Sequence, residues 1–271
     1  VISPCALALA AAILALAAPA ASAADSVLIL FGQSNTVGSA PSSVLTLAEA
    51  TIPDNCEIWA SANPETITQL ADFYQRPTFG PEVGLAHWLC PLYFPERLVI
   101  VKYAIGGTSL YAWSPIWTFD NAEITQNGAD GPLYSYLLGH VATVTAGREV
   151  AYAGVFMHQG ERDAAYLTAA LRWRQNFEVL VDALRADLAT PDLPIVYGLI
   201  NPPTGLPYAW AAGAVNRVVQ GQLDAPQTRA HVYPVTVEAL TKLPDGIHYD
   251  APGMQGLGRR MGEVYGRWVL P

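Results

Sequence analysis

Residues 27–35 read VLILFGQSN: an unbroken apolar run from Val27 to Phe31, then Gly32, Gln33, Ser34 and Asn35. A short apolar run closed by Gly reads as a strand buried on both faces. Such strands belong to parallel sheets with helices on either side. Working outward, Cys56–Ala60, Leu98–Ala104, Ala151–His158, Pro194–Ile200 and His231–Val235 read as further strands. Helical patterns occupy Pro81–Tyr93, Pro132–Ala146, Ala164–Leu188, Tyr208–Leu223 and Gly253–Val269. This alternation predicts an α/β fold, a three-layer α/β/α, doubly wound, mostly parallel sheet.

Doubly wound sheets bind ligands beyond the carboxyl ends of their strands, so the residues just after each strand carry the chemistry. After the first strand, Ser34 sits in a Gly-led turn opening toward a helix. It is a candidate nucleophile whose N–H also suits an anion; the plain alternative is a helix N-cap. After Leu98–Ala104 come Gly106 and Gly107, which allow close backbone approach and an exposed N–H. After Ala151–His158 comes Gln159, whose amide can donate to an oxyanion, with Glu161 beyond it. Near the C-terminus, Asp245 and His248 lie three apart in one loop, where the Asp can orient the imidazole. Each feature alone reads equally well as a turn, a cap or a polar loop. Four of them at strand ends supply a nucleophile, a backbone donor, an amide donor and an Asp–His pair, which together make one site.

Of 271 residues, 52% are hydrophobic and 14% charged, and the formal charge is −9. No basic stripe exists to neutralise phosphates, which argues against nucleic acid. The apolar surplus is concentrated in Ala6–Ala18, followed by Pro19 and an Ala21-Ser22-Ala23 cleavage pattern. Residues 1–23 are therefore expected to be a signal peptide, and 24–271 one domain, secreted or periplasmic. The basic stretch usual ahead of such a run does not occur in the chain, which starts at Val1. An uncleaved anchor is the other reading, and no later stretch is apolar enough to span a bilayer. Without the leader, Cys56 and Cys90 remain, so one disulfide or two buried thiols are both open. Twelve Arg against two Lys, with abundant Ala, fits a GC-rich bacterial genome.

The segments FGQSNTVG (31–38), FGPEVGLA (79–86), VKYAIGGTSL (101–110), VFMHQGERDA (155–164) and DGIHYD (245–250) occur in that order. Together they resemble an SGNH-type, GDSL-like hydrolase of the sialate O-acetylesterase and acetylxylan esterase group, similar to carbohydrate esterase family 6. The resemblance spans nearly all of 24–271 and implies a flavodoxin-like, SGNH hydrolase fold. It implies Ser34 as nucleophile, His248 as general base and Asp245 as its orienting group. It implies an oxyanion hole from the Ser34 N–H, the Gly107 N–H and the Gln159 side chain, with Gly106 competing for the middle place. Glu161 and Glu82 are read as structural or orienting groups, and His158 as a support behind Gln159. Two positions depart from the group's pattern, Thr36 where Met is frequent and Arg162 in place of Ser, and both bear on specificity.

The implied reaction is hydrolysis of O-acetyl esters on carbohydrate, with no cofactor. Neither H-E-x-x-H nor C-x-x-C occurs, which disfavours a metal hydrolase. Histidines 87, 140 and 231 read as packing or surface groups. Tyr111, Trp113 and Trp117 are candidate sugar contacts, since they open the long segment 111–131 after the glycine turn, where core packing is the competing reading. Trp59, inside a strand, reads as core. A short-chain lipase, arylesterase or thioesterase would use the same site, and a non-catalytic sugar-binding module is the remaining alternative. Oligomeric state and natural sugar are open.

Overall fold

The structure is a computed structural model that describes residues 24–61, 63–93, 96–201 and 213–270. The expected leader 1–23 and the first residues, 208–212, of the expected helix Tyr208–Leu223 lie outside the described residues.

Six strands of the main sheet are mutually parallel: β1 (Asp25–Gly32), β3 (Cys56–Ser61), β6 (Leu98–Ala104), β7 (Val150–His158), β8 (Ile195–Gly198) and β9 (Val232–Val235). The short β4 (Thr68–Gln69) pairs antiparallel with β3 at one edge. A separate two-stranded ribbon joins β2 (Ala40–Pro41) to β5 (Thr78–Phe79). The order across the main sheet is β4-β3-β6-β1-β7-β8-β9. Setting aside β3 and β4 at the edge, the strands β1, β6, β7, β8 and β9 run in the flavodoxin-like order 2-1-3-4-5. That order reverses direction beside β1, where this class of sheet opens its binding crevice.

The alternation of side chains along β1 builds two cores. Val27, Ile29 and Phe31 face one core, beneath α5 (Leu133–Thr145), α7 (Leu167–Asp187) and α8 (Ala214–Thr228). Leu28 and Leu30 face the other, beneath α3 (Glu82–Leu89) and α9 (Ala251–Trp268). Burying both faces is what a continuous apolar strand requires. Each core removes on the order of 2 kcal/mol of apolar exposure per large side chain.

The expected elements recur with small changes at their ends. The helix expected over Ala164–Leu188 is two helices, α6 (Glu161–Ala164) and α7, because a turn at Ala165 and Tyr166 separates them. Cys56 at the start of β3 and Cys90 after α3 form a disulfide, with Cα atoms 5.9 Å apart, so the bridge is the alternative realised.

Register places the site. Gly32 is level with Ala104 on one side and with His158 on the other. His158 is level with Gly198, and Gly198 with Val235. The strands therefore end on one line, and residues 33–35, 105–109 and 159–163 emerge together at the carboxyl edge. No helix among the described residues is long and apolar enough to cross a membrane.

Candidate active site

Gly32 is held by a close approach: a Cβ there would lie 2.3 Å from the His158 carbonyl oxygen, and its φ is +148°. That contact turns the chain sharply into α1 (Ser34–Val37), with Ser34 half-buried at its first position. The loop before α9 brings His248 to it. His248 Nε2 lies 2.9 Å from Ser34 Oγ, and Nδ1 lies 2.6 Å from Asp245 Oδ2. The protonation that satisfies all three groups places N–H on Nδ1, donating to Asp245, while Ser34 donates to Nε2.

Asp245 also accepts the backbone N–H groups of Ile247 and His248, at 2.8 and 2.9 Å, through its other oxygen. Burial pushes its carboxyl up, but the bonds from His248 and from these two amides outweigh that and hold it below its ordinary value. The carboxylate is thus kept ionised to hold the imidazole.

The glycine turn lies against Ser34. A Cβ on Gly106 would stand 3.6 Å from Ser34 Cβ, while Gly107, at φ +72°, faces open space. The N–H groups of Ser34, Gly106 and Gly107 have no acceptor among the described residues. Free backbone donors in the turns next to a serine hydroxyl suit a developing oxyanion.

Gln159 stands differently from its expected place. It is fully buried, and its Nε2 donates to Thr108 O at 2.5 Å and toward Asp163 Oδ2 at 3.4 Å. With both amide protons directed there, the side chain anchors the glycine turn in this structure and is not free for an oxyanion. Asn127 holds the same turn from the other side, donating to Gly107 O at 3.0 Å and accepting Ser109 N–H at 3.1 Å.

The aromatic segment also needs correction. Trp113 is 0% exposed, packs on Phe31 and Tyr103, and donates to Thr108 Oγ1 at 3.0 Å. It is core and cannot meet a sugar. Tyr111 is nearly buried and Trp117 half-buried, in a small cluster with Ala122, Ala169 and Tyr166. The open apolar groups of this segment are Ile116, 70% exposed, and Phe119, 54% exposed. Thr36 is fully buried beneath the turn, 3.3 Å from His158 O, so it does not meet substrate. Arg162 ties α6 to this segment by donating to Thr125 O at 2.9 Å, and lies over the Tyr166 ring.

Buried charge surrounds the site. Glu161 is held down to about 2: burial pushes it up, and the neighbouring His158 ring and the Asn35 amide outweigh it. His158 Nε2 lies 3.1 Å from Glu161 Oε1, while the Gln159 amide is directed to Thr108 and Asp163. Asp163, two residues on, is pushed up to about 7 by burial, against amide bonds from Leu110 and Gln159. Lys102 on β6 is buried with Glu82 at 2.6 Å and donates to Val37 O at 2.9 Å, bracing α1. Asn35 and Lys102 carried no signal in the sequence beyond lying inside the quoted segments, and Asn127 lies outside them, in the long segment 111–131. No cluster of metal-binding side chains occurs among the described residues.

The mostly parallel sheet, with this cluster at its switch point beside β1, has the SGNH fold. Residues 24–267 match the family model described as carbohydrate esterase, sialic acid-specific acetylesterase, and the chain belongs to that family as a carboxylic ester hydrolase. Among solved structures, a protein from Arabidopsis thaliana aligns at TM-score 0.72 and 18% identity, covering 91% of this chain and 99% of its own. NanS aligns at TM-score 0.66 and 18% identity, covering 91% of this chain and 98% of its own. A carbohydrate acetylesterase from Xanthomonas citri aligns at 0.63 and 18%, covering 90% of this chain and 56% of its own. At such identity the likeness is one of fold. No curated protein sequence matches the chain.

Proposed function

We propose that the protein is an exported serine esterase that removes O-acetyl groups from carbohydrate through an acyl-enzyme. The carrying observation is the relay from Asp245 to His248 to Ser34, at 2.6 and 2.9 Å, beside unpartnered backbone N–H groups. Ser34 Oγ attacks the ester carbonyl as His248 Nε2 takes its proton. The N–H groups of Ser34 and Gly107, with Gly106 the alternative to Gly107, receive the oxyanion, each donor contributing about 2.7–4 kcal/mol. His248 then protonates the departing sugar oxygen, and water enters by the reverse path. Of the aromatic groups expected to meet a sugar, Tyr111 and Trp113 are buried, which leaves the half-buried Trp117, with the exposed Ile116 and Phe119 in the same segment. The Cys56–Cys90 bridge supports an oxidising compartment, as the leader pattern does.

The test is a rate profile over p-nitrophenyl esters from acetyl to octanoyl, beside acetate release from acetylated xylan and O-acetylated sialic acid. The expected result is a maximum at acetyl with acetate released from at least one carbohydrate. Rates climbing toward longer chains would replace this reading with a lipase or thioesterase.

A further inference from the structure

Ser34 and His248 are 214 residues apart in sequence, yet their reacting atoms are 2.9 Å apart. Asp245 orients the imidazole within its own loop and so cannot fix that loop relative to β1. Besides a bond from Ser39 Oγ to Tyr249 O at 3.3 Å, the gap is crossed by Asn35, next to the nucleophile and 1% exposed. Its Nδ2 donates to Ile247 O at 3.2 Å, and its Oδ1 accepts the Tyr249 N–H at 3.1 Å. Those two residues flank His248. One side-chain amide thus grips the backbone on both sides of the base, as a rung of a β-ladder would.

The grip works in only one orientation of the amide. If oxygen and nitrogen exchanged places, both bonds would be lost. Glu161 enforces the orientation: its Oε1 accepts the other Nδ2 proton at 2.8 Å. A flipped Asn35 would set its carbonyl oxygen against the buried carboxylate oxygen that now accepts its amide proton, exchanging a charge-assisted bond for repulsion.

Resting on the Ser34–His248–Asp245 reading above, we propose that Asn35 and Glu161 form a positioning pair for the general base. Glu161 sets the Asn35 amide, and Asn35 sets the distance from His248 to Ser34. Neither touches substrate, so both act through His248.

A double-mutant cycle on p-nitrophenyl acetate tests this, using the full chain with melting temperature as the folding control. Asn35→Ala is expected to lower kcat by about 10²-fold with KM within about twofold, the cost of a misplaced catalytic group. Added to His248→Ala, the same change is expected to alter the residual rate by less than about twofold, since its only route to the reaction is gone. Equal fold losses in both backgrounds would overturn the proposal. Glu161→Gln keeps an acceptor and is expected to retain kcat within about tenfold, while Glu161→Leu falls as far as Asn35→Ala. Should Asn35→Ala not fold, the Glu161→Leu cycle with His248→Ala reads the same coupling. Losses for Glu161→Leu that persist in full without His248 would likewise overturn it. A His248→Ala enzyme turning over at the wild-type rate would instead defeat the triad reading on which the pair rests.

Discussion

Glu161 and Asp163 leave the same short helix, α6, in opposite directions, and their fates differ. Both are buried, at 5% and 0% exposure. Glu161 meets the Asn35 amide and the His158 ring and is held down to about 2. Asp163 meets only neutral donors, the Leu110 N–H and the Gln159 amide, and is pushed up to about 7. The first meets, through Asn35, the loop that carries His248. The second meets, through Gln159 and Thr108, the turn that carries Gly106 and Gly107. Burial alone therefore says little about a carboxyl group; the donors it meets decide whether it stays charged.

Replacing Asp163 by Leu breaks the second side alone, and has the larger expected effect. It strands the Leu110 N–H, loosens Gln159 and so displaces the glycine turn. We expect kcat to fall by about 10²-fold, the scale of losing an oxyanion donor, while an active-site serine label still reacts. An unchanged kcat would separate Asp163 from the turn.

The next effect is on stability against pH, read from urea midpoints. The folded-state pKa of Glu161 lies below the ordinary 4.5, so its contribution is complete above pH 4.5 and fades as pH falls toward 2. That of Asp163 lies above the ordinary 3.8, so its contribution is complete below pH 3.8 and is lost as pH rises through 7. Asp163→Asn should flatten the loss between pH 3.8 and 7 and leave the acid limb; Glu161→Gln should do the reverse. Identical profiles for the two variants would erase the contrast.

The smallest effect sharpens the boundary of the second side. Trp117→Ala should raise KM on acetylated polysaccharide by about threefold and leave p-nitrophenyl acetate unaffected, since one aromatic contact contributes roughly 0.5–1.5 kcal/mol. Trp113→Ala should instead cost about 3–5 kcal/mol of stability, as core aromatics do. A reversal of these two would return Trp113 to the substrate.

The sheet was legible because its strands are apolar runs stopped by Gly or polar residues, so Ser34, Gly107 and His248 could be placed at strand ends or in one loop by position alone. Asn35 was not legible as a clamp, because its partners Glu161, Ile247 and Tyr249 lie 126, 212 and 214 residues away. Trp113 was open between sugar contact and core because it follows a glycine turn; its burial depends on Phe31 and Tyr103, contributed by β1 and β6. Gln159 read as an oxyanion donor from its strand-end place, while the direction of its amide is set by Thr108 and Asp163. Spacing could not settle the Cys56–Cys90 bridge, since pairing depends on where β3 and α3 pack.

Ser34 as nucleophile is the claim on which the rest depends. Acetate release from acetylated xylan, O-acetylated sialic acid and p-nitrophenyl acetate should be followed for wild type and Ser34→Ala, together with the mass of each protein after a fluorophosphonate label. The wild type should release acetate and gain one label on the peptide holding Ser34; Ser34→Ala should do neither. Acetate release that survives Ser34→Ala, or a label carried on another residue, would contradict the account.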